Sequence, residues 1–132
     1  MGKDGTRRFD DYSMEELLSM PPEELMAAAS NRFKLDLPPS IDTVDNLNKL
    51  ARLMSKSISE YSYLVNMAQI ARMRKRSLKR SGADKFTVED ALTREEIFTN
   101  YAEIMKAAYQ AASRMITVKQ EINEELKFTD GR

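Results

Sequence analysis

The chain has 132 residues, with 21 Lys and Arg balanced by 21 Asp and Glu, and it contains neither cysteine nor histidine. The length fits one domain; the missing cysteines exclude disulfides, thiol catalysis and thiolate metal sites, and the missing histidines remove the commonest general base and the commonest transition-metal ligand. The balanced charge argues against a uniformly basic nucleic-acid binder while leaving room for a local basic patch, and the lack of an apolar run near the ~20 residues that span a bilayer, or of a leader-like segment, points to a reducing cytoplasm.

Four glycines and four prolines among many Ala, Leu, Met, Lys, Arg and Glu favour helix. The predicted fold is all-α: a long antiparallel helical hairpin with short N-terminal helices packed on it, forming a single domain over residues 13–127. Residues 1–12 are polar, with Phe9 and Tyr12 as apolar anchors, and are expected to be disordered, although Phe9 could pin the segment to a neighbour. Met1-Gly2-Lys3-Asp4-Gly5-Thr6 fits the loose N-myristoylation pattern, but the pattern is short and often met by chance, and a plain disordered, polar terminus is the preferred reading. Ser13-Met14-Glu15-Glu16 has capping-box spacing and predicts a short helix to about Ser19. Pro22 suits the first turn of a second helix, which should run to about Ser30, with Glu23 and Glu24 favourably placed at its start. From Asn31 to Ser40, Phe33, Leu35 and Leu37 alternate with polar residues before Pro38-Pro39. No partner strand exists, so an extended segment lying across the helices is expected.

A long helix follows, capped by Asp42 or Thr43 and closed by Gly82. Leu47, Leu50, Ala51, Met54, Ile58, Tyr61, Leu64, Val65, Ala68 and Ala71 recur at three- and four-residue steps as one wide stripe. The helix should be roughly 55–60 Å long at ~1.5 Å per residue. Tyr63, Met67 and Ile70 form a second apolar row, expected to face either the N-terminal helices or another subunit, and therefore a candidate protein interface. A loop of about ten residues should lead to a second capping box, Thr93-Arg94-Glu95-Glu96, and a helix to about Lys127, with residues 128–132 as a frayed tail. Ile97, Tyr101, Ile104, Ala108, Ala111, Met115, Val118 and Ile122 form its stripe. The pairing expected from matched lengths sets Leu78 near Ile97 and Leu47 near Leu126.

The sharpest local signal is residues 72–80, six of them basic: Arg72, Arg74, Lys75, Arg76, Lys79 and Arg80. Such an array can neutralise backbone phosphates or hold an acidic protein surface. Cations are also favoured near any helix C-terminus, and Asp84, Glu89, Asp90, Glu95 and Glu96 lie close enough to cancel part of the field. At the other end, Glu121, Glu124 and Glu125 with Asp42 and Asp45 make an acidic tip. No calcium-loop pattern is present, and a carboxylate di-metal bundle would want Glu-x-x-His. No metal and no cofactor are expected, and no nucleophile–base constellation can be assembled. The nine methionines read mainly as core filler.

The C-terminal half, with a long helix rich in Lys and Arg at its end, a polar loop, and a second helix ending Ser113-Arg114-Met115-Ile116-Thr117-Val118-Lys119-Gln120, resembles the small helical recombination mediators of tailed phages. The resemblance spans about half the chain. It implies an oligomer that helps load a recombinase onto single-stranded DNA through Arg72 to Arg80, with Arg114 and Lys119. Two functional readings follow: a non-catalytic accessory protein, expected to be a homo-oligomer and to bind single-stranded nucleic acid or a nucleoprotein complex through the basic helix end; or a structural, adaptor or inhibitor protein working through protein contacts only.

Overall fold

The structure, a computed structural model, describes residues 7–35 and 43–130, with side chains as far as residue 126. A 3-10 turn, Phe9–Asp11, is followed by α1 (Met14–Ser19), α2 (Pro22–Arg32), α3 (Val44–Arg80) and α4 (Lys85–Asp130). The fold is an all-α hairpin: α3 and α4 pack along each other, the short N-terminal elements lie against them, and no strand occurs among the described residues.

Local chemistry sets the helix ends. At α1, the Glu16 amide donates to Ser13 Oγ (3.1 Å) and the Ser13 amide to Glu16 Oε1 (3.0 Å), closing the capping box. Pro22 opens α2, which runs on to Arg32, past the expected end at Ser30. Asn31 and Arg32, expected in the extended segment, are therefore helical, Phe33 is the C-cap residue of α2, and residues 36–40 of that segment lie outside the described residues. Thr43 caps α3 by accepting from the Asn46 amide at 3.0 Å. At the far end Gly82 takes φ +78°, its amide donates to Lys79 O and the Ala83 amide to Leu78 O. These two bonds satisfy the last carbonyls of α3 and require the left-handed conformation that glycine adopts without strain.

The connection differs from expectation. Asp84 caps α4, its Oδ1 accepting from the Thr87 amide at 2.8 Å and its Oδ2 from the Thr87 hydroxyl at 3.1 Å. Helix therefore starts at Lys85 and runs straight through Thr93, whose hydroxyl donates back to the Glu89 carbonyl at 3.0 Å inside the helix. With a four-residue loop, the expected pairing of Leu78 with Ile97 is displaced. Arg72 and Lys75 meet Glu95 instead, and Leu50 and Leu53 cluster with Ala112. Leu126 consequently lies beyond the start of α3 and is exposed. α4 continues helical to Asp130, through residues expected to fray.

The α3–α4 seam repeats every seven residues. Leu50, Ser57, Leu64 and Ala71 on α3 and Ala91, Phe98, Met105 and Ala112 on α4 are all buried. This is the 3.5-residue period of a supercoiled pair. The single wide stripe expected on α3 thus resolves into parts: Ser57, a polar residue, belongs to the seam at 0% exposure, whereas Ile58 beside it is 46% exposed.

Two flanks border the seam. On one, Tyr63 packs edge-on to Phe9 (6.1 Å between centroids), Tyr101 packs on Phe33 (5.5 Å), and Arg94 Nε donates to the Met20 carbonyl (2.9 Å). The N-terminal elements cover this flank over the half of the hairpin nearest the loop, building the main core with Leu64, Met67, Phe98 and Met105. Phe9 is 2% exposed, so residues 7–12 are anchored where a disordered terminus had been expected; residues 1–6 lie outside the described residues. The opposite flank carries Ala51, Ile58, Val65 and Arg72 at seven-residue steps, and Glu95, Ala102, Tyr109 and Ile116 at seven-residue steps on α4. The Arg72–Glu95 bond ties these two lines together.

Candidate functional site

The basic end of α3 divides in two. Arg72 Nε donates to Glu95 Oε2 at 3.0 Å and Lys75 Nζ to Glu95 Oε1 at 2.6 Å. Glu95 is 8% exposed. Burial alone would push its carboxyl pKa up, but the bonds from Lys75 and Arg72 outweigh it and the net shift is downward. Arg74 reaches across to α1, one of its amino groups lying 2.7 and 2.8 Å from the two oxygens of Glu15, and this bond lowers the Glu15 pKa. These three cations hold the hairpin and its N-terminal brace together.

Arg76, Lys79 and Arg80 are exposed and make no ion pair among the described residues. Of the acids expected to neutralise the tip, only Glu95 engages a residue of the 72–80 run. Asp84 is occupied in capping α4, with its pKa lowered chiefly by the Thr87 amide, and Glu89 lies 3.8 Å from Lys85. The tip also carries an aromatic that sequence reading passed over: Phe86, in the first turn of α4, is 76% exposed. The available signal was a phenylalanine in a polar loop just beyond a basic run. The pairing of Arg74 with Glu15 had no local signal, since the partners are 59 residues apart.

The row Tyr63, Met67 and Ile70 is present but not open to a partner. Met67 is buried, and Tyr63 and Ile70 pack against the core built with the N-terminal elements. Arg32 organises that corner. Its Nε and one amino group donate to the two Glu60 oxygens, each at 2.9 Å, its other amino group to Asp10 Oδ1 at 2.9 Å, and the guanidinium stands 4.6 Å from the Tyr63 ring centroid. Burial raises the Tyr63 pKa, against an opposing pull from Arg32. The row is therefore an intramolecular docking surface.

Arg114 and Lys119 lie beyond Ala112, and Ala112 packs beside Leu50. They are thus about 48 and 55 Å along the rod from Arg80 at ~1.5 Å per residue, and the structure does not bring them to the tip. Glu121, Glu124 and Glu125 are exposed at that far end, and no group of carboxylates with metal-binding geometry exists among the described residues. An open cleft of about 560 Å³ beside α1 is lined by Arg7, Tyr12, Glu15, Glu16, Met20 and Glu24. Two of its three acids are engaged: Arg7 bonds Glu16 at 2.8 Å and lowers the Glu16 pKa to about 2, and Arg74 holds Glu15. No helix among the described residues is long and apolar enough to cross a membrane. No protein-family profile matches the chain, and no curated protein or solved structure shows significant similarity to it.

Proposed function

We propose that this protein is a non-catalytic helical accessory protein of the cytoplasm whose hairpin tip binds single-stranded nucleic acid, bare or within a nucleoprotein complex. The observation that carries this reading is the coincidence, at one rigid end, of three unpaired cations (Arg76, Lys79 and Arg80) with an aromatic ring left 76% in water (Phe86). Cations answer phosphates, and an exposed aromatic offers a stacking platform that only an unpaired base can use. The Gly82 turn and the Asp84 cap fix both halves of this surface on helix ends. The resemblance of the C-terminal half to phage recombination mediators agrees with the same ligand class.

Anisotropy titration of a labelled oligo-dT tests it. Three phosphate contacts give a slope of log K against log salt of about −2 for a single strand, hence a loss of roughly 15- to 20-fold between 50 and 200 mM salt. Replacing Arg76, Lys79 and Arg80 together by Ala should abolish the slope, and Phe86→Ala should weaken binding about 5- to 150-fold, as expected for the loss of about 1–3 kcal/mol of base stacking. Absence of binding at 50 mM salt, or a triple variant that binds like the parent, overturns the reading. The alternative, a scaffold working through protein contacts alone, rests on the open flank of the hairpin and would be favoured by such a result.

A further inference from the structure

We propose that the open flank of the hairpin is a self-association surface, on which a second copy of the chain docks antiparallel about a twofold axis between Ile58 and Tyr61 of α3. The apolar contact uses neither Phe86 nor the tip cations, although Arg76, Lys79 and Arg80, the cations of the nucleic-acid reading, also help to set the orientation of the pair.

Three observations lead to it. First, the flank is apolar and keeps a coiled-coil period. Leu47, Ala51, Met54, Ile58, Tyr61 and Val65 follow one another at four- and three-residue steps; Ile58 is 46% exposed, and Met54, Tyr61 and Val65 are half-buried, one side of each packed against the hairpin's own core. A row at the 3.5-residue period is satisfied by another helix running alongside it, parallel or antiparallel. Tyr109 and Ile116, both half-buried, extend the same surface onto α4.

Second, charge is missing where solvent would call for it. In a chain with 42 charged residues, the stretch of α3 from Ser57 to Ala71 contains one, Glu60, and Arg32 holds it on the covered flank. The outward positions Ser55, Ser59, Ser62, Asn66 and Gln69 are exposed, yet uncharged. Depletion of charge at the centre of a patch is the compositional mark of interface cores.

Third, the ends of the rod have opposite sign. With the axis between Ile58 and Tyr61, Met54 faces the other copy's Val65, and Arg76 to Arg80 of each copy come level with the start of the other copy's α3. Because Leu50 packs with Ala112, that level is also where Glu121, Glu124 and Glu125 lie. An antiparallel pair therefore sets basic tip beside acidic end twice, whereas a parallel pair superposes like charges. The contact is about 30 Å long and about 20 Å wide at ~1.5 Å rise and ~10 Å per helix diameter, or about 600 Å² per copy. That sits at the lower edge of specific interfaces, consistent with a dimer that dissociates at micromolar concentration.

The cysteine-free chain makes the test direct. Sedimentation across about 1–200 µM should show the mass doubling, and Ile58→Asp should leave a monomer with unchanged helicity. Met54→Cys and Val65→Cys proteins should each stay uncrosslinked alone under mild oxidation and should crosslink when mixed. A parent that remains monomeric at 200 µM overturns the proposal. So does crosslinking of either variant with itself, which is the signature of a parallel pair, or an Ile58→Asp protein that still dimerises. Oligo-dT binding by Ile58→Asp is read separately, so loss of the dimer and loss of nucleic-acid binding are distinguishable.

Discussion

Glu95 holds two cations of the basic run in a buried bond network, and its replacement by glutamine should move stability and ligand binding in opposite directions. The amide retains one acceptor oxygen, so the charge that held both Arg72 and Lys75 is gone. Removing one partner from a fully buried pair costs about 3–5 kcal/mol. Here the Arg72 side chain is 49% exposed and Lys75 17%, against 11% for Glu95, so both cations can turn toward water. The discounted loss is about 1–2 kcal/mol, seen as a fall of roughly 0.5–1 M in the urea midpoint for a domain of this size. The released cations enlarge the tip set from three to five, which steepens the single-strand salt slope from about −2 toward about −3.5. Urea melts followed by circular dichroism, with oligo-dT titrations at several salt concentrations, measure both quantities on one preparation. A variant that is less stable but keeps the parental slope would refute the claim that Arg72 and Lys75 are withheld from the tip by Glu95 alone.

Ser57→Ala should stabilise the protein by about 1–2 kcal/mol, since the hydroxyl is fully buried without a hydrogen-bond partner among the described residues and alanine is the better helix former; a lower urea midpoint would show that the oxygen is satisfied after all. Phe9→Ala should cost about 3 kcal/mol by opening a void against Phe33 and Tyr63, and limited proteolysis should then cut the N-terminal segment first. Stability should be nearly flat from pH 6 to 8, because no histidine or cysteine titrates. The pKa values of Glu15, Glu16, Asp84 and Glu95 are all depressed on folding, so their contributions are present above about pH 4.5 and are lost as pH falls through the folded values, down to about 2 for Glu16. Urea midpoints across pH 2–8 check this, and Glu95→Gln should flatten the acid limb.

The hairpin was legible in the sequence because its signals are local: two long runs free of proline and glycine, a glycine where α3 must stop, and capping-box spacing at Ser13. The start of α4 was not. Thr93-Arg94-Glu95-Glu96 has the spacing of a cap, but Asp84 lies first in the chain and its carboxylate already satisfies the Thr87 amide, so the later signal sits unused within continuous helix. Seam membership was blurred because polarity is a poor guide where a seam residue is small. Ser57 looks like a surface residue and Ile58 like a core residue, and the structure places them the other way round. At the tip, six cations were legible, but which three are bound was not. Glu15 reaches Arg74 from the other end of the sequence, and that contact exists only once α1 has docked.

Among the described residues, the N-terminal helices cover the half of the rod nearest the loop, and of the N-terminal segment Leu35 alone packs on the far cluster. Around the loop, α1, α2 and Phe9 join α3 and α4 in one core, while toward the far end Leu50, Leu53 and Ala112 form a separate small cluster. Cooperative opening should therefore be graded along the hairpin, with backbone amides near Val44 and beyond Val118 exchanging with solvent well before those near Leu64 and Phe98. On this reasoning the molecule should have a stiff head and a handle that breathes. A ligand held at the head meets a prearranged surface at little entropic cost, whereas anything that grips the handle must first quieten it and so should bind with a larger unfavourable entropy.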